Sequence, residues 1–269
     1  MSTEYVASSD GTRIAFQRQG SGPALILVDG ALCYRGQGPN DALASLLASR
    51  FTVYTYDRRG RGESGDTPPY TVDREIDDLR ALAKETGETP YLYGISSGGA
   101  LALEAVEAGL PVRRLALYEL PYVVDDSRRI IPDDYESTMD ALVAAGDRGR
   151  AVSLFMRVGV GLPGVVVAMM RLMPAWPRLK AVAHTLPYDT SYTAPLQRGR
   201  PYPQGRWNGV RLPVAVIDGG KSPAWMRNGN AALAEVIPGA TLQVLPGQTH
   251  MVKAKVLSPF LAGFFRPRS

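Results

Sequence analysis

The sequence predicts an α/β protein: a mostly parallel central sheet flanked by helices on both faces, with a helical insertion. Three observations lead there. Short continuous apolar runs such as Ala24-Leu25-Ile26-Leu27-Val28 recur, as strands buried on both faces require. Segments with apolar residues at helical spacing alternate with them, which places helices over both faces of a parallel sheet. The alternation stops after Pro121 and resumes after Asn208. The predicted organisation is therefore a core of residues 1–120 and 209–269, interrupted by a helical cap over 121–208.

Each element has its own local reason. Residues 4–8 and 12–19 read as two strands joined by Ser9-Asp10-Gly11, a hairpin turn. After the apolar strand Ala24–Val28 comes Asp29-Gly30-Ala31, and Asn40 is placed to cap a helix from Asp41 to Ser49. Phe51–Tyr56 is the next strand and runs into a Gly/Arg-rich loop, Asp57 to Ser64. Val72, Ile76, Leu79 and Leu82/Ala83 then predict a helix from about Thr71 to before Gly87. A strand from Tyr91 is followed by an Ala/Leu helix to about Ala108, and Arg114–Tyr118 is another buried strand. The insertion offers helical stretches around 134–145, 148–160, 164–173 and 177–185, then a Pro/Gly/Arg/Tyr-rich connection, Pro195 to Gly209. Strands at Pro213–Asp218 and Thr241–Leu245 alternate with helices at Ala224–Val236 and Lys253–Phe265.

Between the strand at Tyr91 and its following helix lies Gly94-Ile95-Ser96-Ser97-Gly98, a G-x-S-x-G. A sharp strand-to-helix turn of this kind lifts the Ser96 hydroxyl off the sheet edge. It also leaves the Ser97 N–H in the first helical turn, where it has no intrahelical partner and can bind an oxyanion.

Composition narrows the function classes. The chain has 269 residues, 45% hydrophobic and 21% charged, which is ordinary for a globular protein with a sizeable core. The net charge of +4 is mildly basic, but no Lys/Arg run is interleaved with aromatics, so nucleic-acid binding is not expected. The single cysteine rules out an internal disulfide framework. The stretch Met1-Ser2-Thr3-Glu4 lacks a signal pattern, and the longest apolar run, Leu162 to Met170, is broken by Pro163 and Gly164 and is too short to span a bilayer. A cytoplasmic protein without a membrane partner is expected.

In this order, four motifs give the chain its resemblance to the α/β-hydrolase fold superfamily, specifically a serine-nucleophile member with a helical cap. They are Val28-Asp29-Gly30-Ala31, Tyr56-Asp57-Arg58-Arg59-Gly60-Arg61-Gly62-Glu63-Ser64, the elbow at Ser96, and Pro246-Gly247-Gln248-Thr249-His250. The resemblance implies Ser96 as nucleophile and His250 as its general base. It implies an oxyanion hole made by the backbone N–H groups of Ala31 and Ser97, and a small-molecule substrate with no metal or organic cofactor. The other histidine, His184, falls in the cap.

The acid that should orient His250 is the open question. The position most of the family uses, after the penultimate strand, is Ser222 here, which cannot carry the charge. The other family site, used by some haloalkane dehalogenases, ends the strand after the nucleophile helix, and there stands Glu119. A carboxylate ending a buried strand is costly unless paired, which favours Glu119, with Asp125, Asp126 and Asp218 as alternatives. Asp29 stands where the family usually has His, with Arg58 or Arg35 as expected partners. Asp57 and Arg58 are expected to form a buried pair fixing their loop. Arg128 and Arg129 read as solvated charges, and Cys33 as a small apolar residue. Leu32, Tyr122 and Met156 are candidate substrate contacts.

The expected function is a serine hydrolase acting on an ester, lactone or related acyl substrate with apolar bulk. A non-hydrolytic member (lyase, cyclase or cofactor-free haloperoxidase-like) and a small-molecule receptor remain alternatives. Monomer and homodimer are both left open. The general base must be neutral to accept a proton, so turnover is expected to fall on the acid side of neutrality. A pH–rate profile that stays flat down to about pH 4 overturns this expectation.

Overall fold

Eight strands form one sheet in the order β1-β2-β4-β3-β5-β6-β7-β8 in the computed structural model, which describes residues 2–266. Met1, part of the amino-terminal stretch considered above, and residues 267–269 lie outside the described residues. The hairpin β1 (Glu4–Ala7) and β2 (Arg13–Gln19) is antiparallel, and β2 is antiparallel to β4. Strands β3 (Ala24–Val28), β4 (Thr52–Tyr56), β5 (Tyr91–Ile95), β6 (Leu115–Tyr118), β7 (Val214–Gly219) and β8 (Thr241–Leu245) pair in parallel. Every residue of β3, β5, β6 and β7 is buried, which is why these strands read as unbroken apolar runs rather than alternations.

Helices cover both faces. On one, Leu79 and Leu82 of α2 (Val72–Glu85) and Leu101 and Leu103 of α3 (Ser97–Glu107) pack on Ile26, Leu92 and Val216, together with Leu233 of α9 (Ala224–Val236). On the other, Leu43 and Leu47 of α1 (Asn40–Leu47) and Leu257 and Leu261 of α10 (Ala254–Phe264) pack on Leu27, Tyr93 and Ile217. Thr71 caps α2 by accepting the Arg74 N–H. Asn40, expected as a cap, is instead the first residue of α1 after Pro39.

Between β6 and β7 the chain is helical: α4 (Tyr135–Ala144), α5 (Arg148–Leu154), a π-helical turn (Phe155–Gly159), α6 (Gly164–Met170), α7 (Trp176–Ala181) and α8 (Leu186–Thr193). The connection after it is not peripheral. Its Trp207 and Tyr202 are buried against Tyr122 in the core beside α3.

Helix α8 was not expected. Its sequence, LPYDTSYT, has no apolar stripe, because apart from Leu186 its buried residues carry polar groups, and Asp189 and Tyr192 meet arginine side chains instead of an oily core. Asp189, fully buried, accepts hydrogen bonds from Arg58 (2.7 Å) and Arg61 (2.5 Å) of the Gly/Arg-rich loop. Arg58 also donates twice to Glu75 of α2, at 2.6 and 2.9 Å, and once to the Tyr192 hydroxyl at 2.8 Å. Arg59 forks onto Asp78 at 2.7 and 2.6 Å. Asp57 and Arg58 are both buried but do not pair. Asp57 accepts from the Arg35 side chain at 2.9 Å and from the backbone N–H groups of Arg35 and Glu63 at 2.8 Å each. Two guanidinium groups that need partners thus reach out of the loop to α8, and tie the helical segment to the sheet.

Burial works to raise the Asp189 carboxyl, but Arg58 and Arg61 overrule it and hold it below its ordinary value. Breaking a buried ion cluster by removing one partner leaves uncompensated charge and costs about 3–5 kcal/mol. Asp189→Asn is therefore expected to lose about that much stability by denaturant unfolding; a loss under about 1 kcal/mol shows that the cluster does not hold the two parts together.

Candidate active site

Parallel strands put all their carboxyl ends on one edge, and that edge carries the candidate residues. Ser96 directly follows β5 and Glu119 directly follows β6, its neighbour in the sheet. Each extends the ladder by one bond: the Ser96 N–H donates to the Tyr118 carbonyl at 2.9 Å, and the Glu119 N–H to the Ile217 carbonyl at 3.1 Å. Both then leave the sheet with positive φ, 56° at Ser96 and 46° at Glu119. Non-glycine residues hold such angles at a cost of order 1–3 kcal/mol each, and only where the surroundings enforce them.

At Ser96 the enforcement comes from backbone packing. A Cβ on Gly94 would lie 2.6 Å from the Gly98 carbonyl oxygen, and one on Gly98 would lie 2.4 Å from that of Asp29. Only glycines let the first turn of α3 settle against both β5 and the turn after β3. Gly30 in consequence lies against Ser96: a Cβ there would be 3.1 Å from the Ser96 Cβ. The Ser97 N–H opens α3 with no helical partner, and Ala31 follows Gly30 in the facing turn. The two backbone donors expected for an oxyanion therefore come from segments in contact.

Glu119 is fully buried, and three donors surround its carboxylate. Oε1 accepts from the Gly219 N–H at 2.7 Å and from the Ser222 hydroxyl, and Oε2 lies 3.0 Å from His250 Nδ1. The position the family pattern reserves for the acid thus holds a donor to the acid. The loop bearing His250 is fixed independently: the Tyr118 hydroxyl donates to the Thr249 carbonyl at 2.7 Å, and the Lys221 N–H to that of Gln248 at 2.8 Å. No other candidate acid touches His250 among the described residues. Asp125 accepts from the Ser127 N–H at 3.0 Å and from Asn228 at 2.6 Å, and Asp126 is exposed. Asp218 is buried with Oδ1 unpartnered, and burial together with the Glu119 charge pushes its carboxyl up to about 7.

The surroundings differ from expectation at Asp29 and at Tyr122. Asp29 pairs with neither arginine: Arg35 is taken by Asp57 and Glu63, and Arg58 reaches only the Asp29 backbone carbonyl, at 3.4 Å. Leu32 and Met156 lie in one apolar cluster with Ile131 and Tyr135, whereas Tyr122 stands apart, stacked on Trp207 in the core. His184 lies in a short 3₁₀ turn before α8, where burial and the Arg148 charge lower its pKa. Cys33 has its thiol pushed up to about 12 by burial and the Asp29 charge, which leaves it unreactive.

Asp189 and Glu75 were not anticipated beside the site. The Tyr192 hydroxyl donates to the Ser97 carbonyl at 3.2 Å, so the arginine cluster touches the nucleophile helix itself. A trace of it is legible: Glu75 falls in the same register as Ile76, Leu79 and Leu82 of α2, and a carboxylate on an apolar stripe needs a buried cation.

The sequence profile of the Alpha/beta hydrolase family matches residues 21–257. The crystal structure of an alpha/beta hydrolase from Sphaerobacter thermophilus superimposes with a TM-score of 0.91 at 49% identity, over 98% of this chain and 100% of that one. "Uncharacterized hydrolase YraK" of Bacillus subtilis is 40% identical over 101 residues, a match spanning 35% of this chain and 35% of that relative's length. The enol-lactonase from Burkholderia xenovorans has a TM-score of 0.67 over 97% of this chain and 99% of its own, but at 19% identity the likeness is one of fold alone. This chain belongs to the alpha/beta hydrolase family.

Asp29 generates a prediction of its own. Burial first, and the Asp41 charge second, push its carboxyl from the ordinary 3.8 to about 7, against the Asn40 N–H, Arg61 and Arg58. The folded protein then keeps a proton that the unfolded chain has released, so stability falls as pH rises from 3.8 towards about 7 and changes no further above it. Asp29→Asn removes this dependence. Its melting temperature relative to wild type is expected to climb between about pH 4 and about pH 7. A difference that stays constant across that range overturns the assignment.

Proposed function

We propose that this alpha/beta hydrolase is a serine hydrolase cleaving an ester, lactone or related acyl compound with apolar bulk. One observation carries the reading: a fully buried carboxylate, Glu119, lies 3.0 Å from Nδ1 of the one histidine in the loop after the last strand. An acceptor on Nδ1 keeps the proton there, leaves Nε2 as the basic nitrogen and stabilises the imidazolium that forms.

The reaction follows from these roles. Ser96 Oγ attacks the acyl carbonyl as His250 Nε2 takes its proton. The carbonyl oxygen becomes an oxyanion, to which the Ala31 and Ser97 N–H groups donate hydrogen bonds. His250 returns the proton to the leaving alcohol, and the acyl-Ser96 ester remains. Water, deprotonated by His250, then releases the acid and regenerates Ser96. An ionised Asp29 close to the Gly30 turn would oppose an oxyanion, and burial, which pushes its carboxyl up to about 7, lessens that opposition near neutral pH. Leu32 and Met156 supply apolar contact for the acyl or alcohol portion.

Intact-mass analysis after reaction with a serine-reactive fluorophosphonate tests the assignment. Wild type is expected to gain one adduct and Ser96→Ala none. Glu119→Gln is expected to label at least about a hundredfold more slowly, because the amide offers Nδ1 no charge and permits the wrong tautomer. Absence of an adduct on wild type removes the activated serine and favours a receptor, and full-rate labelling of Glu119→Gln moves the acid elsewhere.

A further inference from the structure

Where the helical segment begins, a cleft of about 330 Å³ opens between Arg128 and Arg129, Arg157 of the π-helical turn, and Trp225 in the first turn of α9. Arg128, expected as a solvated charge, is half-buried and lies over the Trp225 ring, 4.5 Å from its centroid. Its guanidinium donates to the carbonyls of Val158 at 2.6 Å, Gly159 at 3.0 Å and Arg129 at 3.4 Å. A guanidinium has five N–H donors, so two remain for a ligand.

What sets the cleft apart is its charge balance. Arg35, Arg58, Arg59 and Arg61, the other buried arginines, each pair with carboxylates. Among the described residues no carboxylate lies within ion-pair distance of Arg128, Arg129 or Arg157. Burial accordingly lowers the Arg128 pKa, with only Tyr135 and no carboxylate set against it. Asp125, close in sequence, is engaged by Ser127 and Asn228. Three arginines lining a small cleft with no carboxylate partner suit an anion from outside. Trp225, Ile130 and Val158 add apolar wall to it.

Two segments link the cleft to the candidate site. Trp225 is three residues beyond Ser222, which donates to Glu119. Val158 packs in the cluster that holds Leu32 and Met156. We propose that this cleft receives the carboxylate of the substrate, so that the enzyme prefers acyl compounds whose apolar chain ends in a carboxylate. The proposal rests on the hydrolase reading for its chemistry and on the arginines for its specificity. A planar carboxylate matches the guanidinium fork, and charge-assisted bonds of this kind are about twice as strong as neutral ones. The Trp225 indole and the Ile130 and Val158 side chains offer apolar contact to the rest of the substrate chain.

The experiment has a kinetic and a binding arm. In the first, kcat/KM is measured for p-nitrophenyl hexanoate and for the mono-p-nitrophenyl ester of hexanedioate. Wild type is expected to prefer the carboxylated ester by about tenfold or more, as loss of a charged hydrogen bond would imply. The ratio is expected to fall towards one in the double variant Arg129→Gln/Arg157→Gln. Both side chains are exposed and make no hydrogen bond in the fold, so the variant keeps its structure. In the second arm, calorimetry compares 4-phenylbutanoate with 4-phenylbutanamide, and only the carboxylate is expected to bind, in wild type alone.

The outcomes separate the two readings. Carboxylate binding without turnover of either ester keeps the anion site and removes the hydrolase. Turnover with no preference and no carboxylate binding removes the anion site and keeps the hydrolase. Binding lost in the double variant with no substrate preference makes the cleft an effector site and overturns its role in substrate choice. A preference that survives in the double variant overturns the assignment to these arginines.

Discussion

A carboxylate with no access to water must be enclosed by donors, and the catalytic edge of this protein is built around one such group. Glu119 ends β6 with both oxygens buried. The turn after β7 supplies the Gly219 N–H and the Ser222 hydroxyl, and the loop after β8 supplies His250. Three segments distant in sequence are therefore held in register by one charge. A carboxylate after β6 rather than after β7 leaves position 222 free to carry a donor. Ser222 is the complement of Glu119, and a second carboxylate there would oppose it. Asp218, the other acid nearby, has its carboxyl pushed up to about 7 by burial and by that same repulsion.

A second electrostatic cluster lies on the other flank of the nucleophile helix. Arg58 and Arg61 join the Gly/Arg-rich loop to α2 and α8 through Glu75 and Asp189, and Tyr192 joins that cluster to the Ser97 carbonyl. Buried ion clusters are weak sources of net stability, but they tolerate few alternative arrangements. Here the cluster fixes where the helical segment sits over the sheet edge, a task that the loosely patterned cap helices could not perform by apolar contact alone. The cap's own apolar cluster reaches the core through Leu32, whose φ of 62° is a third strained angle at this edge. Strain at Leu32, Ser96 and Glu119 is sustained because the sheet beneath them is rigid and closely packed.

The arginines divide accordingly. Those with internal carboxylate partners build the fold, and those around the Trp225 cleft have none. Sequence spacing does not tell the two kinds apart. Arg58-Arg59 and Arg128-Arg129 are both adjacent pairs, and only the surroundings reveal that the first is neutralised and the second is not.

The sequence by itself determined the sheet, its helices and the elbow, because those depend on local periodicity and turn chemistry. Continuous apolar runs are diagnostic of strands buried on both faces, and a G-x-S-x-G between strand and helix is diagnostic of a tight turn. It also pointed to Glu119, because a carboxylate ending a buried strand needs a partner wherever the chain goes. Only the tertiary structure decided the rest. Helix α8 was illegible because its buried residues are mostly polar and Asp189 among them is satisfied by Arg58 and Arg61, more than a hundred residues away in the chain. Tyr122 read as a pocket residue and is a core residue, since its place depends on Trp207 from a connection that looked like a loop. Asp29 is left without an arginine partner and burial raises its carboxyl, because each arginine within reach is claimed by a carboxylate that no local pattern reveals.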